Sequence, residues 1–291
     1  MRNIRIYAFL LLSAALLGAL FWPAGGPPEP AYHGKTLSAW LESGLQHPWS
    51  AAEEQQAIRA IGKAALPHLE RRMRAQYSGV MQSVMQYSDS MGLGFAGSYY
   101  HTKAFGAAGQ LGLAWFGFRA LGTEGLPSLR MLLREHDSAL IQRVAPVLQY
   151  LGPEASPAMP ELSDLLRTSP DAEVRALVAH TLNFLGSNAE ITTLLAAGLA
   201  DTNTQVRLNS ALSLGRLEPL SFQSERAIYG GEFDGDEARS RGGISSAATN
   251  AIPALKKVLA DADPNVRAAA QFALNQIAIA TVPVGRGSDE P

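Results

Sequence analysis

Asp263-Pro264-Asn265-Val266-Arg267-Ala268-Ala269-Ala270 decides the fold, because two earlier stretches repeat its form. Asp171-Ala172-Glu173-Val174-Arg175 opens a run of apolar positions ending at Leu185. Asn203-Thr204-Gln205-Val206-Arg207 opens another ending at Leu217, and the third copy ends at Ile277. Each is a short polar turn, then Val-Arg, then apolar residues at helical spacing. A unit that recurs every few tens of residues is the signature of a solenoid, whose units bury their apolar faces only against one another.

Working outward, the inward positions are Leu140, Val144, Leu148, Leu151; Val174, Val178, Leu182, Leu185; Val206, Leu214, Leu217; and Val266, Ala270, Leu274, Ile277. Steps of four, four and three describe a helix face. Small residues such as Ser210 and Ala270 allow neighbouring helices to approach closely. A second signal marks the partner helix of each unit. Leu66-Pro67, Leu126-Pro127, Met159-Pro160 and Ile252-Pro253 are each followed two residues later by Leu. Proline at a helix start has no N–H to lose and a φ already suited to the helix. Aligned on their last apolar residue, the first helices end at Ile61, Leu121, Leu151, Leu185, Leu217 and Ile277. The short steps are single helix–turn–helix units. The two long steps are one unit plus an interruption. Pro146 falls inside a first helix and should kink it. The expectation is an all-α, right-handed α-solenoid of about six helix–turn–helix units with two insertions, its repeat domain spanning residues 32–279.

These stretches, with Ala251-Ile252-Pro253-Ala254-Leu255, resemble the HEAT-like repeats of the armadillo-type superhelix, in the short form known from phycobilin-lyase-type proteins. The resemblance is strong over residues 137–217 and 250–279 and looser over the rest of 50–280. The segment Tyr32-His33-Gly34-Lys35-Thr36-Leu37-Ser38-Ala39-Trp40-Leu41, ahead of such repeats, is similar to membrane-anchored bacterial envelope proteins of unknown function. The repeat array, an N-terminal anchor and linker, and the lack of any chemical site point to a non-enzymatic scaffold for an unidentified protein partner. The phycobilin-lyase likeness implies an alternative, a lyase or chaperone-lyase acting on a chromophore, which would use His101, Tyr99 or Tyr100. The motif itself speaks to fold, and function must come from a site.

Arg175, Arg207 and Arg267 occupy one register position. Stacked at the pitch of a solenoid, they are placed to bond Asp171, Asn203 and Asp263 of adjacent turns and tie unit to unit, the usual use of such residues in HEAT-like repeats. The other reading is a concave strip that binds acidic ligands.

The first interruption, about residues 76–109, sets Met81, Met85, Met91 and four tyrosines, Tyr99 and Tyr100 among them, amid Gly and Ser. It reads as an excursion packed on the array or as an adaptable partner surface centred on Met81, Met85, Tyr99 and Tyr100. The second, about residues 219–249, is polar. Its Glu232-Phe233-Asp234-Gly235-Asp236-Glu237 groups oxygen ligands of the kind Ca²⁺ takes, without the spacing of an EF-hand. Insertions on solenoids tend to lie on one face.

The N-terminus stands apart. Arg2 and Arg5 precede an uncharged apolar run ending at Trp22. The 17 residues of 6–22 are at the short end of a bilayer span and also suit a signal-peptide core or a buried helix. Phe21 and Trp22 stand where a small-x-small cleavage site belongs, which favours a retained transmembrane anchor with the rest of the chain outside the cytoplasm. Residues 23–31, Pro- and Gly-rich, read as a semi-rigid linker. Thr36 then caps a helix with Leu37, Trp40, Leu41 and Leu45 on one face, a cover for the first unit. Residues 280–291 read as a disordered tail.

A net charge of −2 over 291 residues gives no basic excess for nucleic acid. Cysteine is absent, which excludes disulfides and thiolate chemistry. The six histidines have no metal spacing, and there is no strand for a phosphate loop to follow. No cofactor or catalytic residue is expected.

Overall fold

The structure is a computed structural model that describes residues 28–46, 51–75, 107–186, 188–215 and 246–281. The apolar N-terminal segment 1–22, most of the linker, Met81, Met85, Tyr99, Tyr100, His101, the acidic Glu232–Glu237 group and the tail from 282 lie outside the described residues. Among the described residues, no helix is long and apolar enough to cross a membrane.

The described chain is an all-α solenoid opened by a small hairpin. Strands β1 (Ala31–Tyr32) and β2 (Lys35–Thr36) pair antiparallel. Sequence reading placed no strand anywhere. The hairpin closes because His33 and Gly34 both adopt positive φ (49° and 76°), the backbone a two-residue turn between twisted strands requires. Helix α1 (Leu37–Gln46) follows, with Thr36 Oγ1 accepting from Ala39 N at 3.3 Å. It buries Leu37, Trp40 and Leu41 against α2 (Ala52–Ile61) and α4 (Ala107–Leu121).

Five helix pairs then stack in order among the described residues. They are α2 with α3 (Leu66–Met73), α4 with α5 (Leu126–Leu133), α6 (Ser138–Leu151) with α7 (Met159–Thr168), α8 (Ala172–Leu182) with α9 (Ala189–Gly198), and α10 (Thr204–Gly215) with α11 (Ile252–Val258). Helix α12 (Pro264–Thr281) is the last described helix. Local chemistry explains the punctuation. Three of the first helices end at glycines with positive φ, Gly62, Gly122 and Gly152, and α8 is followed by a short turn that ends at a fourth, Gly186, a conformation that a residue without Cβ adopts at little cost. Second helices open on Pro67, Pro127, Pro160 and Pro253. Helix α9 lacks the proline and is capped by Asn188 Oδ1, which accepts from Ile191 N at 2.8 Å. Helix α6 is continuous through Pro146.

One apolar core runs from Leu37 to Ile277. Of the positions read as inward from sequence, Val144, Leu148, Val174, Val178, Val206, Leu214, Val266 and Ala270 are fully or almost fully buried, Leu274 is half-buried, and Leu217 lies outside the described residues. Close approach is enforced where side chains are missing. A Cβ on Gly117 would lie 2.4 Å from Leu69, and one on Gly215 would lie 2.9 Å from Ala273 Cα. A methyl group on Gly215 would meet backbone and force packed helices apart, whereas one on Gly117 would displace the buried Leu69 side chain.

The two interruptions leave the array from opposite edges. The first is rooted between Ala75, after α3, and Ala107, at the start of α4. That is the edge of turns between units. The second is rooted between Gly215, at the end of α10, and Ser246, before α11. That is the edge of turns within units. Antiparallel packing of each pair sends the two kinds of turn to opposite ends of the helices.

Candidate functional site

At the edge of inter-unit turns, two arginine–aspartate pairs join neighbouring units. Arg175, in the first turn of α8, donates from Nε and Nη2 to the two carboxylate oxygens of Asp201 at 2.8 and 2.9 Å. Its Nη1 is held by Ser169 O (2.8 Å) and Pro170 O (3.3 Å) of its own turn. Arg207, in α10, repeats the pose. Nε and Nη2 grip Asp261 at 2.7 and 3.0 Å, while Nη1 donates to Asp201 O and Thr202 O. Both pairs are mostly buried, with side-chain exposures of 10–16%. Bidentate pairing of this kind is the strongest form of the guanidinium–carboxylate contact.

The acidic partners differ from the residues named from sequence. Asp171, Asn203 and Asp263 cap their own helices, accepting from Glu173 N, Gln205 N and Asn265 N at 2.7–2.9 Å. An Asx side chain ahead of a helix meets the free N–H groups of its first turn before it meets anything distant, so local capping wins. The carboxylates that receive the forks lie two residues earlier, at Asp201 and Asp261. Each also accepts a backbone N–H, from Asn203 and Asp263 respectively, which fixes its direction. The guanidinium beside each holds Asp201 and Asp261 below the ordinary carboxylate range, and the same hydrogen bonds raise Arg175 and Arg207.

One junction back, both members of the pair are missing. The register of Arg175 is Ile141 in α6, and the register of Asp201 is Ser169. There the Ser138 hydroxyl bonds Asp171, the largest cause of its lowered pKa. Gln149 Nε2 donates to Thr181 Oγ1 at 3.0 Å, and the Nη1 of Arg143 reaches Met73 O and Ala75 O at the end of α3.

The second helices carry a further tie that sequence reading missed. Glu161, almost fully buried in α7, accepts from Arg130 Nε of α5 (3.0 Å) and from Nε of Arg134, the residue just after α5 (2.8 Å). Burial pushes its carboxyl up, but the hydrogen bonds from the two arginines outweigh it and hold the group below the usual range. The signal was present in register. The residue after the helix-opening proline is His68, Ser128 and Glu161 in three successive units, and all three are buried polar side chains.

Among the described residues, no group of three or more His, Asp and Glu side chains is placed to hold a metal ion. His180 packs edge-on against Phe184, ring centroids 5.3 Å apart.

Models of HEAT repeats match residues 126–215, and a HEAT repeat model matches residues 251–280. The chain is a HEAT-like repeat protein. The matched residues are the stretches in which the HEAT-like ladder is built. No curated protein matches the chain. Among solved structures, an engineered protein is similar at 17% identity, covering 84% of this chain and 97% of its own, with a TM-score of 0.39. A designed armadillo repeat protein in complex with the peptide (KR)4 is similar at 16% identity, covering 81% of this chain and 98% of its own, also at 0.39.

Proposed function

We propose that the protein is a non-enzymatic scaffold for protein–protein interaction. It is a HEAT-like solenoid tethered to a membrane by its N-terminal segment, with the array outside the cytoplasm. The observation that carries this reading is the continuous array itself: one apolar core runs through the stack, and its mostly buried arginine–carboxylate pairs Arg175–Asp201, Arg207–Asp261 and Arg130–Glu161 tie unit to unit. Such surfaces suit extended partners. The tether rests on Arg2 and Arg5 ahead of the apolar run to Trp22. The partner surface includes the interruption that holds Met81, Met85, Tyr99 and Tyr100. No match supports the chromophore-lyase alternative.

Crosslinking in native membranes followed by mass spectrometry tests the proposal. One reproducible protein crosslinked to the array, together with peptides from before Trp22, is the expected result. Full recovery in the soluble fraction would remove the tether, and crosslinks confined to the chain itself would remove the scaffold.

A further inference from the structure

Arg267 is the third member of the ladder and has the same local pose as the other two. Its Nη1 donates to Asp261 O at 2.7 Å and to Ala262 O at 3.0 Å, the same own-turn anchors that hold Arg175 and Arg207. At the inner junctions the remaining two donors, Nε and Nη2, grip a carboxylate of the next unit. At Arg267 they have no partner among the described residues, and the residue is exposed.

The helix face beside it is also uncovered. In α8, the register positions Ala176, Ala179 and Asn183 are buried under the next first helix, and in α10 Ala211 and Gly215 are buried likewise while Leu208 is half-buried. The matching positions of α12 are Ala268, Gln271 and Asn275, all exposed, with Phe272 38% exposed beside them.

The geometry points to a docking site at this end of the array for a partner helix whose start carries an aspartate two residues ahead of its cap. The inner junctions define the occupant's chemistry. At each, an aspartate in that position takes the fork, and the helix behind it covers the small-residue strip. The guanidinium is already anchored through Nη1, so little side-chain freedom is lost when a carboxylate arrives. Charge complementarity and the Ala268–Phe272 strip together select an acidic helix start over a basic or extended peptide. This inference rests on the scaffold reading and names the class of partner.

The test uses the full chain and a fluorescent, helix-stapled peptide of residues 199–215, which carries Asp201 ahead of the Asn203 cap. The expected result is saturable binding by fluorescence anisotropy, weakened at least tenfold by Arg267→Gln in the chain. Asp201→Asn in the peptide should cost the same factor, and the two changes together should cost no more than either alone. Arg267→Lys keeps the charge without the fork, so it should also weaken binding, while circular dichroism shows the array intact. Absence of binding, or binding indifferent to Arg267, overturns the proposal. So does a tenfold gain in affinity on deleting residues 282–291, which would make the chain's own tail the occupant. A dimer in sedimentation velocity that Arg267→Gln abolishes would make it a second copy. None of these failures touches a crosslinked partner on another face, so the scaffold reading stands or falls separately.

Discussion

Between α8 and α10, and again between α10 and α12, the junction is closed by an arginine of one first helix on an aspartate of the next turn. Between α5 and α7 it is closed on the second helices, by one buried Glu161 that receives two arginines. The C-terminal ties are written into the repeat and recur with it. The N-terminal tie occurs once, in a unit whose register holds Ile141 and Ser169 where the ladder would stand. The difference teaches that stacking fixes the register of the units, and that the polar tie is whatever chemistry the turn or helix offers at the contact. At this junction neither an arginine nor an aspartate stands in the register of the ladder.

The largest expected effect tests whether the two regions share a packing basis. Leu148→Ala in α6 and Leu214→Ala in α10 each empty a fully buried site. Each should destabilise by about 2–5 kcal/mol in urea unfolding. Similar losses leave the contrast confined to the polar ties. A loss at Leu214 far below that at Leu148 would show that the ladder, and not packing, holds the C-terminal units.

Next in size is the ladder itself. Arg207→Ala leaves Asp261 with 10% side-chain exposure and no guanidinium. A loss of roughly 2–3 kcal/mol follows from stranding a hydrogen-bonded charge. An unchanged melting temperature with lost partner binding would reassign the ladder to ligand recognition. Glu161→Gln should cost less, roughly 1–2 kcal/mol, because the freed arginines are 31% and 64% exposed and can turn to water.

Acid should expose the same contrast. Asp171, Asp201, Asp261 and Glu161 all have lowered pKa values in the folded chain. Their stabilisation is complete above the ordinary carboxylate range and is lost as pH falls below about 4, where the unfolded chain takes up protons first. Asp261→Asn should therefore flatten the fall in stability between about pH 5 and pH 3 in denaturant titrations. An unchanged slope would mean that the Asp261 pair contributes nothing to acid sensitivity. The smallest effect belongs to Arg267→Gln, expected within ~0.5 kcal/mol of the parent because its fork is unpartnered and exposed. A loss as large as that of Arg207→Ala would reveal a covered end.

The sequence by itself determined the unit, its two helices, the residues that face inward and the places where the unit is interrupted. All of these are local or periodic properties. Val174, Val178 and Leu182 fall on one face whatever the tertiary context, and Pro160 opens a helix because its ring fixes φ. The hairpin at His33-Gly34 was not legible, since a single two-residue turn carries little pattern. The tertiary structure alone decided which carboxylate meets each arginine. Asp261 and Asp263 are equally close in sequence to the turn, but Asp263 is used by the N–H groups of its own helix, and only stacking carries Asp261 to Arg207. It also decided the role of Glu161, which lies some thirty residues from the arginines it joins, and the opposite edges from which the interruptions leave. Repeat chemistry is written along the chain, whereas the contact across units is set by the distance and direction that packed helices impose. For the same reason the stretch around Arg267 reads from sequence as one more repeat, and only the array shows that its fork has no partner among the described residues.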